Sequence, residues 1–313
     1  MTSVVATDQT SRQFQHEAVF YRGVDDLVRL LEPFIREGLD AHEPVMVAEL
    51  PDRIVALERA LGPDAAAVTF LDMAEVGRNP ARIIPAWRDF VAEHAGQSVR
   101  GIGEPVWAGR NPVELDECRL HESLLNVAFD DVAAGFRLLC PYDADALPGA
   151  VLAEAEEAHP VVRATGPSRV YGGHPHAVGQ FECALPAAPA DAELVEFGAA
   201  DLSGLRSVVR RLCEMARLRP DVVDDLVLAA HELASNSVTH GGGSGVLRGW
   251  RENRALVLEI SDLGVISDPL VGREQAFFLS EGGRGIWMAN QLCDLVQVRS
   301  SQRGTAVRLH TWL

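Results

Sequence analysis

The chain contains no lysine; all 28 of its basic side chains are arginine. A phosphate-binding loop ending in lysine, a protein-kinase fold with its strand lysine, and Schiff-base chemistry are thereby excluded. Cysteine is sparse and scattered: Cys118, Cys140, Cys183, Cys213 and Cys293 form no CxxC pair. The opening MTSVVATDQTSRQFQHE has no secretory apolar core. The cysteines therefore read as reduced, mostly buried thiols, and a structural zinc site is not expected. No uninterrupted apolar run approaches the ~18 residues of a membrane span. The protein is expected to be soluble and cytoplasmic, without membrane contact. Positive charge is scarcest in the first part. Residues 1–192 hold 30 acidic and 15 basic side chains, net −15, whereas 193–313 hold 15 and 13, net −2. An acidic first part argues against a nucleic-acid partner, which needs a basic face.

What is present is ordinary for a globular protein: 313 residues, 47% hydrophobic and 23% charged. At about 100–200 residues per domain this gives two domains. After a flexible N-terminus (1–15), residues 16–160 alternate apolar runs such as EAVFY, PVMVAEL, AAVTFLDM and GFRLLCPYD with amphipathic helical stretches. That alternation predicts βαβ units and a doubly wound, mostly parallel α/β sheet. Residues 161–192 are rich in Pro, Gly and Ala and read as a connecting segment and linker. Beyond it, two helices, a hairpin, an irregular stretch at 268–283, a short helix and two strands predict an α+β two-layer sandwich over 193–313.

The chemistry-bearing residues concentrate in this second part. Glu232 and Asn236 stand four apart on one predicted helix, hence on one face, before Gly241, Gly242 and Gly243. A carboxylate suits a base, and an amide oxygen suits Mg²⁺ held against phosphates. Asp262 ends an apolar strand ahead of Gly264, where its carboxylate can accept from an exocyclic amine such as that of adenine. Gly282, Gly283, Arg284, Gly285 and Ile286 open a helix and offer backbone N–H groups to phosphate oxygens, and Thr305 opens the last strand. Each piece alone is weak; their order and placement make the signal.

ELASNSVTHG, SDLG, GGRGIWMANQLCD and GTAVRL resemble the N, G1, G2 and G3 boxes of the GHKL ATP-binding fold, most closely the anti-sigma-factor protein-serine kinases. The resemblance covers roughly 193–313. It implies Glu232 as general base, Asn236 as Mg²⁺ ligand, Asp262 as adenine reader and 282–286 as a phosphate-side lid, with His240, Gly264 and Thr305 completing the ATP site. The second glycine of the usual DxGxG is replaced by Ile266. HEAVFY, RGIGEPVW and CRLHESLLN resemble the MEDS sensory domain, which implies a degenerate, RecA-like, non-hydrolysing core. Together the resemblances imply an anti-sigma factor of the stress-response kind. It would sequester a sigma factor with ATP and Mg²⁺, phosphorylate a STAS-type antagonist on serine or threonine, and answer to its sensory domain. A non-catalytic nucleotide-gated binder is the alternative. A histidine-kinase-type ATPase is disfavoured, because no dimerising helix hairpin precedes residue 193.

Other residues carry less. Cys118, His121 and Glu122 share a predicted helix and could line a sensory pocket, although a structural role is the commoner fate of a buried Cys. His174 and His176 lie in GGHPH, read as a flexible turn able to bind metal adventitiously, and His231 reads as packing. The five tryptophans read as core or interface aromatics. The sensory ligand and the oligomeric state are left open, a homodimer being one option.

Overall fold

The computed structural model describes residues 13–132, 134–274 and 283–313. It divides into two compact units, 1–177 and 178–313. In the first, seven strands make one sheet: β1 (Phe14–Tyr21), β2 (Val45–Glu49), β3 (Val68–Asp72), β4 (Val99–Gly103), β5 (Phe136–Asp143), β6 (Val161–Val162) and β7 (Gly166–Pro167). Their order is β3-β2-β4-β5-β1-β6-β7, parallel except for the β6–β7 pair. Every residue of β2 and β4 is buried, as expected of strands covered on both faces.

The connections are α1 (Gly23–Asp40), α2 (Pro51–Leu61), α3 (Met73–Val76), α4 (Ile83–Glu93), α5 (Pro112–Ala128) and α6 (Gly149–Ala158). The chain steps across the sheet one way from β1 to β3 and back the other way from β3 to β6. Right-handed crossovers therefore place α1 and α2 on one face and α4 to α6 on the other. The contacts agree: α1 packs on α2, α4 on α5, and α5 on α6. Leu27, Leu31, Phe34 and Ile35 recur at helical spacing along α1 and bury themselves with Leu57 and Leu61 of α2 against Val45, Val47, Ile102 and Leu139. On the other face Trp87 needs the glycines of β4, for a Cβ at Gly101 would come 2.8 Å from its ring.

Two expectations need correction. Phe14 and Gln15 belong to β1, with the Phe14 ring 5.3 Å from Phe129 and 5.2 Å from Phe136, so the expected flexible N-terminus ends earlier; residues 1–12 lie outside the described residues. The segment 161–192 is not a bare connection either. It contributes β6 and β7 at the sheet edge and a helix, α7 (Gly173–Glu182), in which His174 and His176 occupy the first turn rather than a flexible turn.

The second unit has a five-stranded antiparallel sheet in the order β11-β12-β10-β9-β8. Its strands are β8 (Glu193–Gly198), β9 (Ser244–Glu252), β10 (Ala255–Asp262), β11 (Leu295–Ser301) and β12 (Gly304–Trp312). Helices α8 (Leu202–Ala216), α9 (Pro220–His240) and α10 (Arg284–Leu292) form a layer, with α9 packed on β9, β10 and both other helices. This is a two-layer α+β sandwich. Strand β8 is an edge strand that the sequence reading, which began this domain at residue 193, did not identify. The Pro/Ala stretch before it does not hang free. Ala188 and Ala192, together with Trp312, pack on Trp250, Ala255 and Val257, and the Arg308 guanidinium donates to the Pro186 carbonyl. Among the described residues no helix is long and apolar enough to cross a membrane.

Candidate functional site

Helix α9 begins with Pro220 at its first position, where the missing N–H costs nothing, and closes when the Gly241 N–H donates to the Ser237 carbonyl at 2.8 Å. Its last turns run beside the end of β10, where Asp262 sits across from Thr305 of β12. Asp262 is oriented by two donors. Ser237 Oγ donates to Oδ2 at 2.6 Å, and the Gly264 N–H donates to Oδ1 at 2.8 Å. A Cβ at Gly241 would stand 2.3 Å from the Asp262 carboxyl carbon, so the helix can end here only in glycine. The loop after β10 is held by hydroxyls. Thr305 Oγ1 donates to the Gly264 carbonyl, Ser300 and Thr305 share a 2.8 Å bond, and the Ile266 N–H donates to Ser300 Oγ. Where the second glycine of the motif is missing, the Ile266 backbone is thus tied to β11.

These elements enclose a cavity of about 720 Å³, within the ~300–1,000 Å³ typical of ligand pockets. Asn236, His240, Asp262, Gly264, Gly283, Ile286 and Thr305 all border it. Glu232, Arg284 and Gly285 do not. Gly285 lies against α9, where a Cβ would come 2.7 Å from Asn236 Nδ2 and 3.4 Å from Glu232 Cβ. Gly283, at φ 82°, caps α10 and accepts the Trp287 N–H at 2.8 Å. The amides of Arg284, Gly285 and Ile286 thereby have no acceptor within the helix. Gly282 lies outside the described residues. Sequence reasoning missed Ser237, Ser300 and Asn290, whose amide donates to the Gly272 carbonyl at 2.8 Å. Ser237 could have been found as the residue after Asn236, facing the same strand end.

Cys118, His121 and Glu122 are all buried on α5. Cys118 Sγ donates to the Pro105 carbonyl, and burial pushes its thiol up to about 12, which removes it as a nucleophile. Glu122 turns instead toward residues of β1, β5 and the end of α6.

A second buried group in this unit also escaped the sequence reading. Glu49 ends β2, Glu104 follows β4, Tyr21 ends β1, and all three meet Arg53 from the first turn of α2. Tyr21 Oη donates to Glu104 at 3.0 Å, and Arg53 pairs with Glu104 and stands 3.7 Å from Glu49. Both carboxyls are fully buried. Acids placed just past apolar runs (VMVAE, RGIGE) were the available signal, since parallel sheets keep polar groups at their carboxyl ends. Burial and then Glu104 push Glu49 well above the carboxylate range, and burial lifts Glu104 to about 7. A folded pKa above the unfolded one gives stability that is present at low pH and lost as pH rises through about 7. Glu49→Gln removes one charge at constant shape. It should therefore gain on the wild type progressively as pH rises from 5 to 8 in denaturant titrations. A difference independent of pH would refute the raised titration of Glu49.

The fold and the cavity define a two-domain protein, an α/β unit followed by an ATPase-like sandwich. Residues 15–160 match the family MEDS (MEthanogen/methylotroph, DcmR Sensory domain), and residues 195–311 match the Histidine kinase-like ATPase domain. The chain thus joins a segment that matches the MEDS sensory domain to one that matches the Histidine kinase-like ATPase domain. No curated protein matches it. Among solved structures it is similar to the RsbU and RsbW domains of Rv1364c from Mycobacterium tuberculosis, at 16% identity and a TM-score of 0.31. The match covers 40% of this chain and 33% of that one, so the chain spans about a third of that protein's length.

Proposed function

We propose that the protein is a nucleotide-gated anti-sigma regulator of the partner-switching kind. Its C-terminal domain would bind ATP with Mg²⁺, and its N-terminal domain, RecA-like but without hydrolysis, would set the state of the first. One observation supports the nucleotide above all: a carboxylate held by two donors, Asp262, faces the same cavity as the open N-terminus of α10. Asp262 reads the adenine amine, and Thr305 steadies the adjoining loop. The amides of Gly283 and Ile286 at the start of α10, with His240, would face phosphates. Asn236 offers one hard oxygen, enough for an ion that takes its other ligands from phosphates and water. Bound Mg²⁺ would supply charge neutralisation at the phosphates.

In the kinase reading Glu232 takes the proton of a serine or threonine hydroxyl on an anti-sigma antagonist of STAS type, the step for which a positioned carboxylate is suited. Glu232 does not border the cavity, however, and this favours a second reading in which the nucleotide gates partner binding without transfer. The test is partner capture on the full chain with ATP·Mg²⁺, with ADP, and without nucleotide, using purified sigma factors and STAS proteins. Sigma-factor retention that depends on ATP is expected. Equal retention in all three conditions, or none in any, would overturn the proposal.

A further inference from the structure

The first unit contains a second constellation, independent of the nucleotide reading. His16 of β1, Glu122 of α5, Cys140 of β5 and His159 at the end of α6 are each at most 1% exposed. Their ligand atoms all lie within 4.8 Å of one another. His16 Nε2 is 3.2 Å from Glu122 Oε2 and 3.2 Å from Cys140 Sγ, and His159 Nε2 is 3.3 Å from the same carboxylate oxygen. A tetrahedral ion with bonds of about 2.0–2.3 Å has ligand–ligand edges of roughly 3.3–3.8 Å, so small adjustments would close these four atoms around one centre.

The hydrogen bonds behind the imidazoles fix what the two rings present. His159 Nδ1 lies 2.7 Å from the Ala155 carbonyl, which can only accept, so that nitrogen carries the proton. Asn126 Nδ2 donates to the Ala158 carbonyl at 2.8 Å, which turns its Oδ1 toward His16 Nδ1 at 3.2 Å and makes that nitrogen a donor as well. In their neutral forms both rings therefore aim an Nε2 lone pair at the Glu122 carboxylate. Lone pairs from two imidazoles and a carboxylate converge, with the Cys140 thiol proton among them and the Tyr142 hydroxyl donating to the Glu122 carboxylate from beside them. Glu122 Oε1 has no hydrogen-bond partner, and the His159 Nε2 contact lies off any hydrogen-bonding line. Such a cluster of acceptors calls for a cation at its centre. Ring N–H groups fixed on a backbone carbonyl and an amide are also the usual outer support of metal-bound histidine.

We propose that His16, Glu122, Cys140 and His159 form a site for one divalent transition metal of the zinc class. Two imidazoles and a thiolate favour zinc, cobalt or iron over magnesium and calcium, which prefer all-oxygen sets. Binding would release the thiol proton, leaving thiolate and carboxylate to balance the two charges of the ion. Four protein ligands make the site a closed, structural one. It would fasten β1, β5, α5 and α6 to one another.

Titration of the metal-stripped full chain with Co²⁺ tests this. One equivalent should bind, with the visible bands of a tetrahedral ion and a thiolate charge-transfer band in the near ultraviolet, and Zn²⁺ should displace it. Cys140→Ala should lose the charge-transfer band, whereas replacing His174 and His176 together by alanine should keep it. Asn126→Ala touches no ligand atom and should weaken Co²⁺ affinity by ~10–100-fold, the usual worth of an outer support. It also serves if the Cys140 variant does not fold. A folded wild-type chain that takes up neither ion would overturn the site, since the four groups then share protons only. So would a charge-transfer band that survives Cys140→Ala.

Discussion

Asparagine in place of Asp262 should abolish most of the thermal stabilisation that ATP·Mg²⁺ confers on the full chain. A ligand at a hundred times its dissociation constant stabilises the native state by ~2.7 kcal/mol, a shift of several degrees for a domain of this size. Both carboxylate oxygens of Asp262 already accept, from Ser237 Oγ and from the Gly264 N–H. An amide can accept at one side only. Its NH₂ group must face a donor, either one of these two or the amine of the base, so the recognising geometry is lost. The ligand-free variant should still unfold cooperatively, which separates lost binding from lost fold. A wild-type chain without any shift at millimolar ATP would remove the nucleotide from the account altogether, and an undiminished shift in the variant would remove Asp262 from it.

The second large effect concerns transfer rather than binding. Glu232→Gln keeps the shape of the side chain and removes its basicity. The terminal phosphate of ATP should then reach the antagonist ~10²–10⁴-fold more slowly, the usual contribution of a general base, while the nucleotide-dependent thermal shift stays. Glu232 stands one helical turn before Asn236 on α9, next to Gly285 rather than on the cavity surface. Transfer equal in the two proteins would assign the base elsewhere. Absence of transfer in the wild type, with ATP-dependent capture of a sigma factor, would establish the gated binder.

The two sites differ in how far the sequence disclosed them. In the ATPase domain the relevant residues are punctuated by glycines that local geometry demands: Gly241 because Asp262 occupies the space of a Cβ, and Gly283 because α10 starts from a left-handed residue. Such demands leave marks at short range, and the order of the marks reads directly as helix end, strand end and helix start. The metal cluster leaves none. His16 lies 106 residues from Glu122 and 124 from Cys140, and the parallel pairing of β1 with β5 and the packing of α5 on β1 bring them together. The expectation of no structural zinc site rested on the lack of CxxC pairs, a pattern that the proposed cluster, with its single cysteine, would not show. Strand β8 was hidden for another reason: it is an edge strand with one fully buried residue, Phe197, too little apolar pattern to stand out from the segment before it. The alternation of strands and helices through the first unit was legible because long amphipathic stretches such as α1 repeat one face several times.

The Pro/Ala stretch lying on the second sheet decides where this protein can be cut. A fragment trimmed to the family boundary at residue 195 would discard Ala188 and Ala192, and with them the cover over Trp250, Ala255 and Val257. It would also deprive the buried Arg308 of the Pro186 carbonyl and leave its guanidinium with Glu259 and the face of the Trp250 ring. Freshly bared indole and valine on an open sheet face invite self-association. Excision should therefore begin no later than Val178, where the compact unit starts, so that what looks from its composition like tether travels with the fold it shields.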